Sequence, residues 1–397
     1  MPYLGSVPCP LNRYVKHTAR IGGLILCLWC LWTGFVAADQ PVSLVFRGDA
    51  ATVEFALDGG GLIDFRLSQH PVNPLNWEVS TERGAGAVAV PRPQGHFLCL
   101  DRWGAPSEAE AARGIPFHGE ASQVMWQVVR PVMLQGGRLE GEMACSLPLA
   151  SMAVSRTIVM EVASTAMIVT ERITSTGRLG RLYNLVQHPT IAPPFLDDTT
   201  IVDSNANLGF SQDGPVPDSQ NAASLWPQVV LKTGTADLRR FHSASKDGHD
   251  VSSFVFADDV RFGWVTACQS ESRLLLGYFW QTADYPWLNI WRHWNETRAA
   301  ARGLEFGTTG YHQPFGVLLR QHRILDRQLY GYLDAGETHE RSYLAFLAPL
   351  PENFAGVGTV EHRDGYLRIT ESGSVPQRVV LVPLKQLPWP NAIPTAR

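Results

Sequence analysis

Residues 152–177, with the sequence MAVSRTIVMEVASTAMIVTERITSTG, decide the fold of this chain. The residues at 154, 156, 158, 160 and 162 are Val, Arg, Ile, Met and Val, so these side chains share one face of an extended strand. After a short turn, Val169, Glu171 and Ile173 repeat the alternation. A period of two residues is typical of half-buried β-strands, and the stretch therefore predicts two successive long strands.

The same alternation recurs along the rest of the chain. Further strand candidates are residues 42–46, 53–57, 253–256, 262–266, 274–281, 287–291, 343–347, 366–370 and 379–382. The 35 glycines and 27 prolines are spread along the chain rather than concentrated, which suits many short strands separated by turns. So many strands with hardly a helix among them predict an all-β fold, a sandwich or barrel rather than a set of βαβ units.

Two segments interrupt the strands. Ser107 and Glu110 form a capping box, alanines follow, and Gly114 ends the segment, so a helix of about two turns is predicted in a loop. Segment 203–250 is rich in Ser, Asn, Asp and Gly, and it predicts a long connection over one mouth of the sheet.

The N-terminal 38 residues predict an export signal. Basic residues at positions 13, 16 and 20 precede an uncharged apolar run at 21–38, and Val36-Ala37-Ala38 offers small residues for cleavage before Asp39. We expect a periplasmic or secreted protein that has no membrane attachment after cleavage. The apolar run is just long enough to span a bilayer, so a retained membrane anchor is the alternative.

Charge and cysteine content exclude two classes of protein. Lys and Arg number 33 against 37 Asp and Glu, and no basic run stands out, so no nucleic-acid partner is expected. Three of the six cysteines would leave with the signal. The remaining Cys99, Cys145 and Cys268 allow at most one disulfide, which excludes a disulfide-stapled fold.

Five short motifs could carry chemistry. In chain order they are His118-Gly119 with Trp126 downstream, V-T-E-R-I-T-S-T-G at 169–177, N-L-V-Q-H-P at 184–189, Leu304-Glu305, and Ala335-Gly336-Glu337. Taken singly, the histidines have a structural explanation as hydrogen-bonded or strand-capping residues. Glu305 is more telling, because an acid between apolar neighbours on a strand is costly unless it is paired or used.

In this order the motifs resemble the aldose 1-epimerase (galactose mutarotase-like) family, over roughly residues 45–350. The resemblance implies a large antiparallel β-sandwich at 39–353 with an open sugar cleft on one sheet. Residues 354–397 would add C-terminal strands and a Pro-rich tail, packed on the same domain.

The resemblance also implies a set of site residues. His188 matches the family's general acid, which protonates the ring oxygen, and Glu305 matches its general base, which takes the proton of the anomeric hydroxyl. His118 matches a substrate-binding histidine. For the family's further binding aspartate, Asp237 and Asp284 are both candidates.

Tryptophans supply the other candidate sugar contacts. The chain has 12 of them, and a flat indole is a good platform for the C–H face of a sugar, although the majority are expected to fill the core. Trp126 follows the His-Gly segment, and alternation puts Trp287 and Trp291 on one face of a strand shortly before Glu305. Trp280 and Trp294 lie in the same stretch before Glu305, and we predict that at least one of these five rings lines the cleft.

The chemistry of mutarotation asks for these residue types independently. One group removes the proton of O1 while another gives a proton to O5, and the opened aldehyde rotates and recloses. Histidine titrates near neutrality and can donate a proton, whereas glutamate is normally ionised and can accept one. No metal, phosphate or redox cofactor is required, so we expect no cofactor, a sugar as the partner, and leave the oligomeric state open.

Two positions depart from the family's pattern. Phe306 stands where the family has a proline after the glutamate, and Thr190-Ile191-Ala192 stands where an aromatic pair follows the histidine. These differences indicate a different cleft floor, and with it a different substrate.

Other functions stay open on the sequence alone. One is a non-catalytic carbohydrate-binding protein, and another is a polysaccharide lyase or glycoside hydrolase on a related sandwich. A hydrolase would need two carboxylates, for which the candidates are Glu120, Glu171 and Glu305. A polar loop could also hold a metal rather than be merely solvated, through His242, Asp247, His249 and Asp250.

Overall fold

The computed structural model describes residues 42–79, 91–241, 245–373, 378–385 and 387. The strands up to residue 204 are β1 (Ser43–Arg47), β2 (Ala51–Ala56), β3 (Leu62–Leu67), β4 (His96–Asp101), β5 (Gln127–Gln135), β6 (Arg138–Leu147), β7 (Met152–Glu161), β8 (Ala166–Ser175), β9 (Arg181–Ile191) and β10 (Ile201–Ser204). The strands after them are β11 (Leu208–Ser211), β12 (Ser224–Leu225), β13 (Gln228–Leu231), β14 (Gly234–Asp237), β15 (Gly248–Val255), β16 (Phe262–Gln269), β17 (Leu274–Gln281), β18 (Trp287–Asn295), β19 (Arg298–Gly307), β20 (Arg323–Ile324), β21 (Arg327–Gln328), β22 (Gly331–Leu333), β23 (Thr338–Pro349), β24 (Val357–Arg363), β25 (Tyr366–Glu371) and β26 (Val379–Pro383). The helices are α1 (Glu108–Ala111) and α2 (Phe315–Gln321).

Two antiparallel sheets form the body of the protein, which confirms the predicted all-β sandwich. In the described ranges the large sheet has 11 strands, in the order β1-β2-β3-β4-β9-β19-β18-β15-β11-β12, with β22 also paired to β9. The small sheet has eight strands, in the order β10-β16-β17-β23-β8-β7-β6-β5. The two strands predicted from residues 152–177 are β7 and β8, which pair antiparallel in the small sheet.

The core lies between the facing sides of the two sheets. Alternate residues of β7, including Val154, Ile158 and Met160, point into it and are fully buried. They join apolar residues of the large sheet such as Phe55 and Leu304 in one hydrophobic cluster. Each residue in this layer is withdrawn from water, and burying side chains of this size stabilises the fold by about 1.5 to 3 kcal/mol each.

A polar network runs through this core. Arg156 on β7 forms an ion pair with Glu171 on β8, with Nη2 and Oε1 2.7 Å apart, and both side chains are almost fully buried. Gln187 on β9 donates to the second carboxylate oxygen at 2.6 Å, and its own oxygen lies 3.1 Å from Nε2 of His96 on β4. The network therefore ties the two sheets together and satisfies the buried carboxylate of Glu171.

A small third layer covers part of the other side of the small sheet. Strands β24, β25 and β26 form a three-stranded sheet. Its apolar residues, such as Val360 and Ile369, cluster with outward-facing residues of the small sheet such as Phe279 and Phe346. The predicted signal peptide at residues 1–38 lies outside the described residues, as does the tail from residue 388 onward.

Two loop predictions need correction. Helix α1 has the predicted capping box between Ser107 and Glu110, but it makes one turn rather than two because the chain leaves helical bonding before Gly114. The segment 203–250, predicted as a long connection, contains four complete short strands, β11 to β14, and the start of β15. Strands β11 and β12 extend the large sheet, so the polar composition of this segment reflects an exposed sheet edge.

The remaining global features concern cysteines and membranes. Cys99, Cys145 and Cys268 are all buried and free, in agreement with a fold that does not depend on disulfides. Among the described residues, no helix is both long and apolar enough to cross a membrane.

Candidate active site

Five neighbouring strands of the large sheet place the candidate residues on one face. These strands are β4, β9, β19, β18 and β15, in that order. Strand pairing sets Gly303 opposite Thr190 and Phe306 opposite Gln187, so the register between them puts Glu305 opposite His188. Because side chains alternate, Gln187 and Phe306 point into the core while His188 and Glu305 point away from it.

A cavity of about 530 Å³ opens on this face. Its walls are mainly aromatic rings and imidazoles. The lining residues are Trp77, Val79, Pro93, Phe97, Trp103, Phe117, His118, Gln123, His188, His249, Val251, Trp291, His293, Glu305 and His312. The structure therefore brings together four of the six predicted site residues, namely His118, His188, Trp291 and Glu305.

Glu305 is the one carboxylate among the described residues that line this cavity. Its side chain is 1% exposed, and Nε1 of Trp103 donates a hydrogen bond of 2.6 Å to Oε2. The other oxygen, Oε1, lies 3.2 Å from Nε2 of His188. Burial without a cation raises the pKa of Glu305 to about 8, although the bond from Trp103 opposes the shift.

The imidazole of His188 is held by a hydrogen bond at its edge and by a ring stacked on one face. Nδ1 lies 3.0 Å from Oγ1 of Thr190, two residues along the strand, and the imidazole stacks on Phe97 with ring centroids 4.2 Å apart. Burial lowers the pKa of His188 to about 3. Near neutral pH the pair is therefore an uncharged imidazole facing a protonated Glu305, and moving one proton across the 3.2 Å contact converts it into an ion pair.

His118 presents a defined nitrogen to the cavity. The backbone N–H of Gly104 donates to its Nδ1 at 3.0 Å, so the hydrogen of the neutral ring is on Nε2. Burial lowers the pKa of His118 well below its ordinary value, with further repulsion from His188 and His312. The next residue, Gly119, has φ of 77° and sits against the Leu100 carbonyl, where a Cβ would overlap, which explains the glycine of the His-Gly motif.

His312 completes the histidine cluster and was missed by the sequence analysis. Its ring packs edge-on against Trp103 with centroids 4.6 Å apart, and it lies 5.7 Å from the ring of His118. Burial lowers its pKa to about 4, so it is a neutral hydrogen-bonding group. Gly104 lies beneath this ring, where any side chain would collide with it.

Two of the three predicted tryptophan contacts are wrong. Trp126 is 2% exposed, donates to the Ala121 carbonyl, and packs in the core beneath the guanidinium of Arg156. Trp287 shares a strand face with Trp291, as predicted, but it is fully buried because the backbone at Gly310 lies directly over its ring. Alternation gives the face of a strand, whereas the loop that covers a ring comes from elsewhere in the chain.

The candidate aspartates do not line the cavity. Asp284 pairs with Arg341, and Asp237 accepts a bond from the backbone of Arg239, so neither lines the site. Asp250 forms a bidentate pair with Arg292 on the core side. His242 lies outside the described residues, and within those that are described no group of three such side chains could hold a metal ion.

The two departures from the family pattern have different consequences. Phe306 was expected to alter the cleft floor, and this expectation is wrong. Its side chain points into the core and stacks on Trp280, with ring centroids 4.3 Å apart. Thr190, in contrast, contacts the imidazole of His188 directly. The unusual residue after His-Pro therefore supports the candidate acid.

Comparison with known proteins identifies the fold. No protein-family model and no curated protein sequence matches the chain. Among solved structures, it is similar to a protein from Klebsiella pneumoniae subsp. pneumoniae MGH 78578 that is provisionally named an aldose 1-epimerase, with a TM-score of 0.53 and 16% identity over 75% of this chain and 77% of that one. It is also similar to a galactose mutarotase related enzyme from Lactobacillus acidophilus, with a TM-score of 0.53 and 10% identity over 78% of this chain and 99% of that one.

A third similar structure is a galactose mutarotase-like protein from Clostridium acetobutylicum. Its TM-score is 0.51 at 14% identity, over 77% of this chain and 95% of that one. At these identities the likeness concerns the fold, and it agrees with the resemblance drawn from the sequence motifs. The chain has the galactose mutarotase-like β-sandwich fold.

Proposed function

We propose that this protein is an aldose 1-epimerase that interconverts the anomers of an uncharged sugar. The observation that carries the proposal is the buried contact of 3.2 Å between His188 and Glu305 in the wall of an aromatic cavity. A titratable pair withdrawn from water, with both pKa values displaced by burial, is typical of acid–base catalysis.

The pair can carry both proton transfers of ring opening. O1 and O5 are bonded to the same carbon, so a sugar could insert both between Oε1 of Glu305 and Nε2 of His188 in place of their contact. Glu305 as carboxylate takes the proton of O1 while the imidazolium of His188 gives a proton to O5, the C1–O5 bond breaks, and C1=O1 forms. After rotation about C1–C2, the reverse transfers close the ring and restore the ion pair.

The contents of the cavity argue against the glycosidase alternative. A hydrolase of the usual kind needs two carboxylates that flank the scissile bond. Glu171 is paired with Arg156 in the core, and Glu120 accepts a backbone hydrogen bond from Ala150. Glu305 therefore has no second carboxylate beside it among the described lining residues.

Polarimetry of freshly dissolved sugars tests the proposal. The wild-type protein should speed the approach to anomeric equilibrium, and Glu305→Gln and His188→Asn should each cut turnover by about 10² to 10⁴, the usual worth of a positioned acid or base. The two losses should not add, because removing either partner already breaks the coupled transfer. A Glu305→Gln protein that equilibrates anomers at the wild-type rate would overturn it. A wild-type protein that binds sugars but never speeds mutarotation would favour the binding-protein alternative.

We further propose that the enzyme acts outside the cytoplasm, on the evidence of residues 13–38 alone. Intact-mass measurement of the protein from its native host should give a chain that begins at Asp39. A mass that includes residues 21–38 would mean a retained anchor instead.

A further inference from the structure

Thr190 and Gly303 lie beside the proposed acid–base pair, opposite each other on neighbouring strands. The register of β9 and β19 pairs the two residues directly. Thr190 follows His188 by two positions and Gly303 precedes Glu305 by two, so all four residues are on the cavity face of the large sheet. Thr190 is fully buried, and neither Thr190 nor Gly303 lines the cavity. Any influence of these two residues on a reaction in the cavity therefore passes through His188 or Glu305.

The hydroxyl of Thr190 decides which nitrogen of the neutral His188 ring carries the hydrogen. Its oxygen lies 3.0 Å from Nδ1 of the imidazole, and its own hydrogen is donated to the backbone carbonyl of His188, 3.4 Å away. A hydroxyl has one hydrogen to donate, so with that hydrogen on the carbonyl it accepts the bond from Nδ1. The hydrogen of the neutral ring is then on Nδ1, and the lone pair of Nε2 faces Oε1 of Glu305 across 3.2 Å.

This tautomer is the one in which a proton can cross between the two side chains. A protonated Glu305 can give its proton only to a nitrogen that holds a lone pair. With the ring hydrogen on Nε2 instead, two hydrogens would meet in the 3.2 Å contact between Nε2 and Oε1, and no transfer could follow. Because Thr190 is buried, bulk water does not reach its hydroxyl to take over the bond to Nδ1.

The missing side chain at Gly303 leaves space for the carboxylate of Glu305. A Cβ at position 303 would lie 2.6 Å from Oε1 of Glu305, and 3.2 Å from both Cγ of Glu305 and Cβ of Trp291. The closest of these atoms is the end of a flexible side chain rather than backbone, so an alanine at position 303 would displace Oε1 before it displaced the strand. Oε1 is the oxygen that contacts Nε2 of His188. The glycine therefore fixes where the transferable proton lies.

From this geometry we infer that Thr190 and Gly303 are positioning residues of the proposed reaction. Thr190 keeps the hydrogen of the neutral imidazole on Nδ1, and Gly303 keeps Oε1 of Glu305 within reach of Nε2. When the proton leaves Oε1 it binds the lone pair of Nε2, and the imidazolium that forms still donates its Nδ1–H to Thr190. The effect on turnover rests on the proposed function, whereas the tautomer of His188 can be measured without turnover.

Nitrogen NMR of the full chain, labelled in its histidine rings, tests the tautomer. Signals of His188 are identified by their loss in His188→Asn, and burial lowers the pKa of His188 to about 3, so the ring is neutral near pH 7. The wild type and Thr190→Ser should carry the hydrogen on Nδ1. Thr190→Val keeps the shape of the side chain without the hydroxyl and should lose this preference. A wild-type ring with its hydrogen on Nε2 would overturn the role of Thr190, as would a Thr190→Val protein that keeps the wild-type tautomer.

Polarimetry tests the consequence for turnover. Thr190→Val should lower kcat by about tenfold at an unchanged KM, the usual worth of one hydrogen bond, and Thr190→Ser should recover most of this loss. Gly303→Ala should lower kcat by about 10²-fold, because it misplaces a reacting atom, and should leave the tautomer of His188 unchanged. Gly177→Ala is the matched control, since a Cβ there makes contacts of 3.5 Å or more, and it should keep the wild-type kcat.

The two measurements separate the possible failures. The expected tautomer, lost in Thr190→Val, would support the role of Thr190 even in a protein that mutarotates no sugar, in which case only the proposed function would fail. Wild-type kcat in both Thr190→Val and Gly303→Ala would overturn the inference and leave the epimerase proposal standing. A loss in Thr190→Val that Thr190→Ser does not recover would assign the effect to the fit of the side chain, and it would also overturn the role of the hydroxyl.

Discussion

Two buried carboxylates, one on each of the two main sheets, differ in whether a cation lies beside them. Glu171 and Glu305 are both 1% exposed or less. Glu171 faces the guanidinium of Arg156 and an amide, so its charge is neutralised where it sits. Glu305 has an indole N–H and a neutral imidazole, and no cation. The first arrangement stabilises a core, whereas the second holds a carboxyl group ready to exchange a proton.

The largest expected effect is on stability and belongs to Glu171. Glu171→Gln leaves the buried charge of Arg156 without its counter-ion, and breaking a buried pair in this way costs about 3 to 5 kcal/mol. The free energy of unfolding, measured by chemical denaturation, should fall by that amount. Glu305→Gln removes no counter-ion and should leave the protein at least as stable at pH 7. If Glu305→Gln were the more destabilising change, the contrast between the two carboxylates would be wrong.

The second prediction concerns the pH dependence of turnover. In the proposed mechanism the active pair holds one transferable proton, either on Glu305 or on His188, and loses this proton when Glu305 ionises while His188 is neutral. Because the pKa of Glu305 is about 8, kcat/KM should fall as the pH rises above that value, about tenfold per pH unit. A pH profile by polarimetry, corrected for the uncatalysed rate, measures this. An activity that rises through pH 9 would contradict the shared-proton model.

The third prediction is a pH-dependent gap in stability. The pKa of Glu305 is about 8 in the folded protein and 4.5 ordinarily, so the folded state retains a proton that the unfolded chain releases. Its contribution to the free energy of unfolding is full below pH 4.5 and is lost as the pH rises through about 8. Glu305→Gln cannot ionise, so it should match the wild type near pH 4 and exceed it at pH 9. Denaturation curves of both proteins at the two pH values decide this.

The smallest effect is expected for Trp103→Phe. The change keeps the ring but removes the N–H that favours the ionised form of Glu305, so the pKa of Glu305 should rise further and the alkaline fall in kcat/KM should move to higher pH. The pH-independent value should drop by about tenfold, the usual worth of a hydrogen bond to a charged group. Trp226→Phe, which alters an indole packed on Phe254 outside the cavity, is the control. An unchanged alkaline limb would show that Trp103 does not tune Glu305.

The strands and the placement of two cavity residues, His188 and Glu305, could be predicted from the sequence for different reasons. Strands such as β7 and β8 follow from period-two alternation, because one face is buried along its length while much of the other face is only partly buried or exposed. His188 and Glu305 followed from motif order. Their direct contact depends on the register between β9 and β19, which joins residues more than 100 positions apart.

The rest of the cavity could not be read from local patterns. Trp103 and His312 lie in the loops that follow β4 and β19, where no period constrains the direction of a side chain. Trp287 lies on the predicted face of its strand, but it does not line the cavity, because the backbone at Gly310 covers its ring. Which loop lies over which strand end is a property of long-range packing, and a single sequence does not reveal it.

The polar network behind β9 affects how much conformational freedom His188 can lose in the proposed reaction. Gln187 is hydrogen-bonded to Glu171 and His96 on the core side of β9. The next residue, His188, therefore lies on a strand whose opposite face is anchored in the core. Under the proposed function, an imidazole on such a support has little freedom to lose when a sugar binds, so less of the binding energy is consumed in ordering the protein. In the proposed mechanism, side chains in the loops around the cavity can therefore differ without changing the geometry of proton transfer.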